Sequence, residues 1–243
     1  MVADLHLHTS FSDGTYSPEE LAGHASAQSL AAVALTDHDS VEGCPRMAAA
    51  CAAVGIEFIP GAELTAELEG KEFHVLGYWM DIQSPTLLER LAVFQAARRQ
   101  RILEMVDRLN RRGVALRAEH VFELSNCSAP GRPHVARALV AAGCCSSYDD
   151  AFDRYLKKGR PGWVPKVAMP VAESATVSRL GLVTWTPLSL PISPGTKVWM
   201  ARASTPRTAR VKAIMLLLTP RSERRSQDIG FRVCPRAPCP NLC

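Results

Sequence analysis

The chain has no histidine in its last 109 residues, no CxxC pair among its eight cysteines and no apolar run that could span a bilayer. The first absence confines any metal chemistry that uses imidazole to the part ending at His134, which holds all seven histidines. The second, in a chain without a secretory leader, removes the case for a disulfide framework. Cys44, Cys51, Cys127, Cys144 and Cys145 read as buried thiols. A zinc cluster of Cys234, Cys239 and Cys243 is disfavoured by the surrounding prolines and the want of a nearby histidine. The third absence excludes a transmembrane helix. MVADLHLH also lacks the basic and apolar regions of a signal peptide, so the expected location is cytoplasmic, with no membrane partner.

Acidic residues are scarce at one end. Residues 175–243 carry 11 Lys/Arg against Glu223 and Asp228, a charge of +9, which leaves −5 for the rest of a chain of net charge +4. Eight of the 17 prolines also fall there. Arg221, Arg224 and Arg225 are candidates for a nucleic-acid arm, but the aromatic residues that such arms interleave with bases are sparse, which argues against it.

Length and composition otherwise suit one sizeable α/β domain, or one with an inserted subdomain: 243 residues, 47% hydrophobic and 21% charged. Ala3 to His8 reads as a short strand. Ser17, Pro18 and Glu20 form a capping-box start for a helix to about Ser29. Leu30 to Thr36 is a buried strand, Val41 to Val54 an alanine-rich helix, and Ile56 to Thr65 a strand whose hairpin partner, Lys71 to Trp79, follows a turn at Glu69-Gly70. This alternation is that of βα units around a parallel sheet or barrel. Pro85 to Arg112 is a long amphipathic helix with Leu88, Leu91, Val93, Ile102, Val106 and Leu109 on its apolar face. Shorter helices cover Ala118–Leu124, Pro133–Ala142 and Ser147–Leu156.

Candidate ligands gather at strand ends. His6 and His8 alternate along the first strand, so a period of two puts both imidazoles on one face. Asp13 follows in a turn, Asp37, His38 and Asp39 end the second strand, and Glu63 and His74 stand near the ends of the third and fourth. In parallel α/β folds functional groups collect at the carboxyl ends of strands. One histidine there is more often a hydrogen-bonded surface residue than a ligand, but the whole set together suits hard or borderline divalent ions, with a carboxylate such as Glu63 able to bridge two of them. His24 and His120 fit no strand end and read as non-ligands.

The stretches DLHLHTSFSDGTYSPEEL, LTDHDSVEG, IPGAELTA, FHVLGY and GRPHVARAL, in this order over residues 1 to 170, resemble the PHP (polymerase and histidinol phosphatase) family. The insertion followed by GRPH is similar to the branch of nucleoside 3′,5′-bisphosphate phosphatases and 5′–3′ exoribonucleases. The resemblance implies a distorted (β/α)7 barrel with a helical insertion, incomplete at its C-terminus. The expected segments are a barrel half at 1–80, the insertion at 81–165 and an aberrant tail at 166–243.

It also implies up to three divalent ions of manganese, iron or zinc. His6, His8 and Glu63 would hold one, Glu63, His74 and His134 a second, and Asp13 and His38 the third. Arg132 is a candidate phosphate clamp, because a guanidinium fork matches phosphate oxygens, and also a candidate surface arginine. Asp37 and Asp39 are left to support His38 or to transfer protons. The function implied is a metal-dependent phosphoesterase, a hydrolase acting on a small phosphate ester or short oligoribonucleotide, with nucleotide 3′,5′-bisphosphates or the 5′ ends of RNA foremost. Histidinol-phosphate phosphatase is the alternative enzyme, and a non-catalytic metal- or nucleic-acid-binding module the alternative of another class.

The tail departs from the family. The expected Ala-His-Pro and late Ser-Asp-x-His are missing, Asp228 lies in the wrong context, and only Val211–Leu218 resembles a regular element. A shifted reading frame is the first explanation and a divergent module the second.

Overall fold

The computed structural model describes residues 2–68 and 71–170, and by their backbone the strands at 183–188, 197–203 and 213–220. The Glu69-Gly70 turn, Arg221, Arg224, Arg225, Asp228 and the three C-terminal cysteines lie outside the described residues.

Local chemistry sets the first elements. β1 (Ala3–Leu7) leads to α1 (Pro18–Ala27), which starts where the sequence places it. The Ser17 hydroxyl accepts the Glu20 amide at 3.2 Å and the Glu20 carboxylate accepts the Ser17 amide at 2.8 Å, so two otherwise orphaned donors are satisfied reciprocally. β2 (Ala32–Leu35), α2 (Cys44–Ala53) and β3 (Glu57–Leu68) complete the alternating run. Each is slightly shorter at its start than the apolar pattern suggests, because Leu30, Ala31 and Val41 belong to turns.

β1, β2 and β3 pair in parallel, and the register slips by one residue between Asp4 and Leu7. Such a bulge re-aims side chains at a sheet's end, and here it falls on His6. β4 (Lys71–Tyr78) reverses direction and pairs with β3 from Gly61↔Tyr78 to Leu68↔Lys71. The crossing is tight at Gly61, where a Cβ would stand 2.4 Å from the Gly77 carbonyl oxygen, so only glycine lets the strands approach so closely. β5 (Met169–Pro170) adds to β3, while β6 (Val183–Leu188), β7 (Lys197–Ala203) and β8 (Ala213–Pro220) continue the sheet from β4 in the order β8-β7-β6. β8 covers most of the Val211–Leu218 stretch. The result is a mixed sheet curved into a half-barrel: the expected parallel barrel describes its first three strands, and antiparallel pairing takes over at β4.

α3 (Pro85–Asn110), α4 (Ala118–Ser125), α5 (Arg132–Ala141) and α6 (Tyr148–Ala151), the last continued by a π-helical turn at Phe152–Leu156, form the insertion. It has its own core, with Ile102, Met105, Leu109, Val121, Leu139 and Leu156 buried together, separate from the core of Leu35, Met47, Leu64 and Val75 beneath the sheet. α3 packs on both. Its buried face runs through Leu87, Leu91, Phe94, Arg101, Ile102, Met105, Val106 and Leu109, so two residues expected inside are not: Leu88 is 43% and Val93 60% exposed. A 26-residue helix that changes partner midway keeps no single stripe, and averaging over its length misplaces these two. Among the described residues no helix is long and apolar enough to cross a membrane.

Candidate metal centre

Glu63, on β3, has no exposed side-chain surface, yet it is surrounded by imidazoles. His6 Nε2 and His8 Nε2, both from the end of β1, each lie 3.0 Å from its Oε2, and His38 Nδ1 lies 3.6 Å from the same oxygen. His74 Nδ1, from β4, contacts Oε1. Main-chain pairing explains the meeting of His38 and Glu63: they form a parallel bridge, with Glu63 N–H donating to the Asp37 carbonyl and Asp39 N–H to the Glu63 carbonyl. Asp39 takes a left-handed φ of +47° to do so, a conformation that aspartate adopts more readily than most residues.

Asp13 completes the cluster from the side, with Oδ1 3.6 Å from His8 Nδ1 and Oδ2 3.4 Å from His38 Nε2. Its turn is compact: a Cβ on Gly14 would stand 2.3 Å from the His8 carbonyl oxygen. Three overlapping donor groups result, His6–His8–Glu63, His8–Asp13–His38 and His38–Glu63–His74, with the ligand atoms of each within 4.8 Å of one another. His8 and His38 are shared, and Glu63 belongs to two of the three.

Charge in the cluster is arranged for cations. Burial opposes ionisation of Glu63, and the imidazoles of His38, His74 and His6 outweigh it, holding the carboxyl well below its usual range. Burial likewise opposes a charge on Asp13, and the His38 and His8 rings outweigh it. Burial would lower His8, but its hydrogen bond to Glu63 and the nearby carboxylates lift it to about 9. His38 Nδ1 is buried without a hydrogen-bond partner, a cost that a coordinated ion would remove. Imidazole nitrogens and carboxylate oxygens converging on common points, one nitrogen orphaned, fit a borderline divalent cation.

Not every expected residue joins. His134 is buried in the first turn of α5 and belongs to none of the three groups; its Nδ1 accepts the Gly131 amide at 3.0 Å. Its other ring nitrogen, Nε2, lies 3.9 Å from Cys127 Sγ. Asp37 and Asp39 are each 1% exposed, and their oxygens are taken. Asp37 accepts from Thr9 N (2.7 Å), Thr9 Oγ1 (2.6 Å) and Ser12 Oγ (2.6 Å). Asp39 accepts from Thr65 N (2.9 Å) and Arg98 Nε (2.7 Å). Burial raises the Asp37 carboxyl against these donors; for Asp39 burial is outweighed by Arg98 and the Thr65 amide, and the carboxyl is lowered. Both carboxylates hydrogen-bond the segments that carry the cluster residues. His24 stacks on Tyr16 and His120 sits beside Glu123, away from the cluster.

A cavity of about 170 Å³ opens beside the cluster, lined by Asp13, His38 and His74 together with Arg98, Arg101, Arg132, Phe152 and Lys166. Arg132 lies over the Phe152 ring, 5.7 Å from its centroid, and donates to the Leu156 carbonyl at 3.3 Å. Lys166 Nζ lies 3.2 Å from His74 Nε2 and 2.8 Å from Glu72. Arg98, Arg101 and Lys166 escaped the reading of the sequence. They come from mid-helix and from a loop, and only the local excess of cations in ARRQR of α3 could have pointed to the first two.

Comparison with known proteins adds to this geometry. A family model described as the PHP domain matches residues 4–159. A 5′–3′ exoribonuclease from Haemophilus influenzae is 36% identical over 164 residues, 66% of this chain and 58% of that protein. A 3′,5′-nucleoside bisphosphate phosphatase from Chromobacterium violaceum is 34% identical over 162 residues, again 66% of this chain and 57% of that one. In structure, a Bifidobacterium adolescentis protein described as a metal-dependent phosphoesterase superposes with a TM-score of 0.68 at 30% identity, over 72% of this chain and 62% of the other. The chain thus spans less than two thirds of the length of each of these relatives.

Proposed function

The chain belongs to the PHP domain family, and from that premise we propose that its cluster is the centre of a metal-dependent phosphoesterase acting on nucleotide 3′,5′-bisphosphates or on the 5′ ends of short RNA. One observation carries the reading: imidazoles from the β1 end, the segment after β2 and β4 converge on a buried carboxylate beside a cavity that arginines and a lysine also line. The donor set is hydrolytic in type, and the arginines and lysine that share the cavity with it match a phosphate group. The names of the two relatives, one acting on RNA and one on nucleoside bisphosphates, supply the substrate class.

His6, His8 and Glu63 would hold one divalent ion, His38, Glu63 and His74 another, and His8, Asp13 and His38 a third. Ions so placed supply Lewis acidity toward phosphoryl oxygens and generate a nucleophile from water at neutral pH. The chain's own residues do the rest. The imidazoles around them favour the ionised forms of buried Glu63 and half-buried Asp13. Arg132 and Lys166 stand where phosphoryl oxygens would enter, and Arg98 is oriented by Asp39.

Phosphate release from an adenosine 3′,5′-bisphosphate, a 5′-phosphorylated RNA trimer and histidinol phosphate, each with added manganese or zinc, tests the proposal. Glu63-dependent release from either nucleotide substrate supports it. Release from histidinol phosphate alone assigns the alternative enzyme, and metal binding without any release assigns a binding module.

A further inference from the structure

We infer that His134 is a positioning residue for Asp13, acting together with Arg137 as a clamp by which the helical insertion sets the third donor group. The GRPHVAR segment puts Gly131, His134 and Arg137 three residues apart, on one face of α5. That face lies on the turn that presents Asp13. His134 Nε2 lies 3.9 Å from Cys127 Sγ, and Cys127 Sγ donates to the Ser12 main-chain carbonyl at 3.6 Å. Arg137 donates to the next carbonyl, that of Asp13, at 2.9 Å. Two successive peptide units of the turn are therefore gripped from the insertion, while Asp37 grips Thr9 and Ser12 from the barrel side.

The tautomer of His134 follows from its partners. Nδ1 accepts the Gly131 amide, so in the neutral ring the proton is on Nε2, the nitrogen 3.9 Å from Cys127 Sγ. The imidazole is thus a two-ended hydrogen-bonding strut, with no lone pair left for an ion. With both carbonyls fixed, the Asp13 side chain has little freedom in where it starts, and its oxygens fall 3.4 and 3.6 Å from His38 and His8. The clamp serves the group His8–Asp13–His38 and leaves the two Glu63 groups alone. Removing it weakens one ion selectively.

This inference rests on reading the cluster as a metal centre, and the test separates the two. Long-range ¹H–¹⁵N spectra of the imidazoles, recorded on the full chain with and without Zn²⁺, should show ring nitrogens of His6, His8, His38 and His74 shifting, and His134 keeping its Nε2–H form. Calorimetric Zn²⁺ titration should show His134→Ala and Arg137→Ala each weakening one binding step about tenfold, as loss of a group that orients a ligand does. The other steps should change less than about threefold. His134→Gln, whose amide nitrogen reaches the place of Nε2, should recover the lost step, which a ligand role would not permit. Zinc shifts at His134 matching those at His74, or failure of Gln to rescue, overturns the clamp. Arg137→Ala keeps the test open if His134→Ala does not fold, because unchanged zinc steps in that variant also overturn it. If zinc shifts no imidazole at all, the metal reading fails, and the clamp is judged by hydrogen exchange at residues 12–14. Exchange there should rise in both alanine variants, and unchanged exchange rejects it.

Discussion

Glu63 and Asp37 are both buried carboxylates within one site, and they are separated by what surrounds them. Glu63 faces four imidazole rings, Asp37 faces hydroxyl and amide donors. Glu63→Gln should therefore abolish the shared ligand and weaken zinc or manganese binding more than about 100-fold, whereas Asp37→Asn should loosen a supporting turn and cost about tenfold. The stability order should be reversed. Asp37→Asn places an amide NH₂ against the Thr9 and Ser12 donors and should cost about 3 kcal/mol in urea unfolding. Equal loss of metal at the two positions would show that Glu63 is not shared. Period-two spacing made His6 and His8 legible as a pair, and the end of the second strand did the same for His38, whereas Glu63 and His74, expected near strand ends, lie within β3 and β4. The fate of His134 was not legible, because a helix N-terminus supplied an amide that competes for its lone pair and sequence spacing does not show that contact.

At the scale of elements, the start of α1 was readable because its determinants are local. Ser17→Ala should remove the reciprocal cap, lower stability by about 1 kcal/mol and leave metal affinity unchanged, measured by denaturant unfolding and zinc titration on the same preparation. α3 was readable as a helix and misread in its faces, because its burial is decided by two cores that the chain assembles from distant segments. The link between them is Arg98, which reaches from α3 to Asp39 at 2.6 Å, both side chains nearly buried. Arg98→Met should strand a buried carboxylate and cost about 3–5 kcal/mol, and adding Asp39→Asn should restore part of that loss. A single mutant as stable as the parent would mean the insertion is not tied to the barrel through this pair.

For the whole molecule, the contrast between its two parts is sharper than any single contact. Up to residue 170 the patterning, caps, cores and charged site point to one fold, as sequences that specify a structure do. After Ser174 the chain gains nine net positive charges, no histidine follows His134, and the match to the family model ends at residue 159. Gradual divergence toward another function would erode ligands and loops unevenly. It would not respect a boundary between a part with every early ligand and a part with no imidazole. We therefore expect the coding DNA, translated in another frame downstream of codon 174, to encode an Ala-His-Pro and an Asp-x-His. The chain with that frame restored should hydrolyse nucleoside bisphosphate at least about 100-fold faster than the present one, a difference of nearly 3 kcal/mol in barrier. The present chain should still take up metal, since the groups around Glu63 lie wholly within residues 6–74. A turnover on the order of 1 per second or more by the present chain, with neither motif in either frame, would mean that residues 175–243 are a working module and that the half-barrel suffices for catalysis.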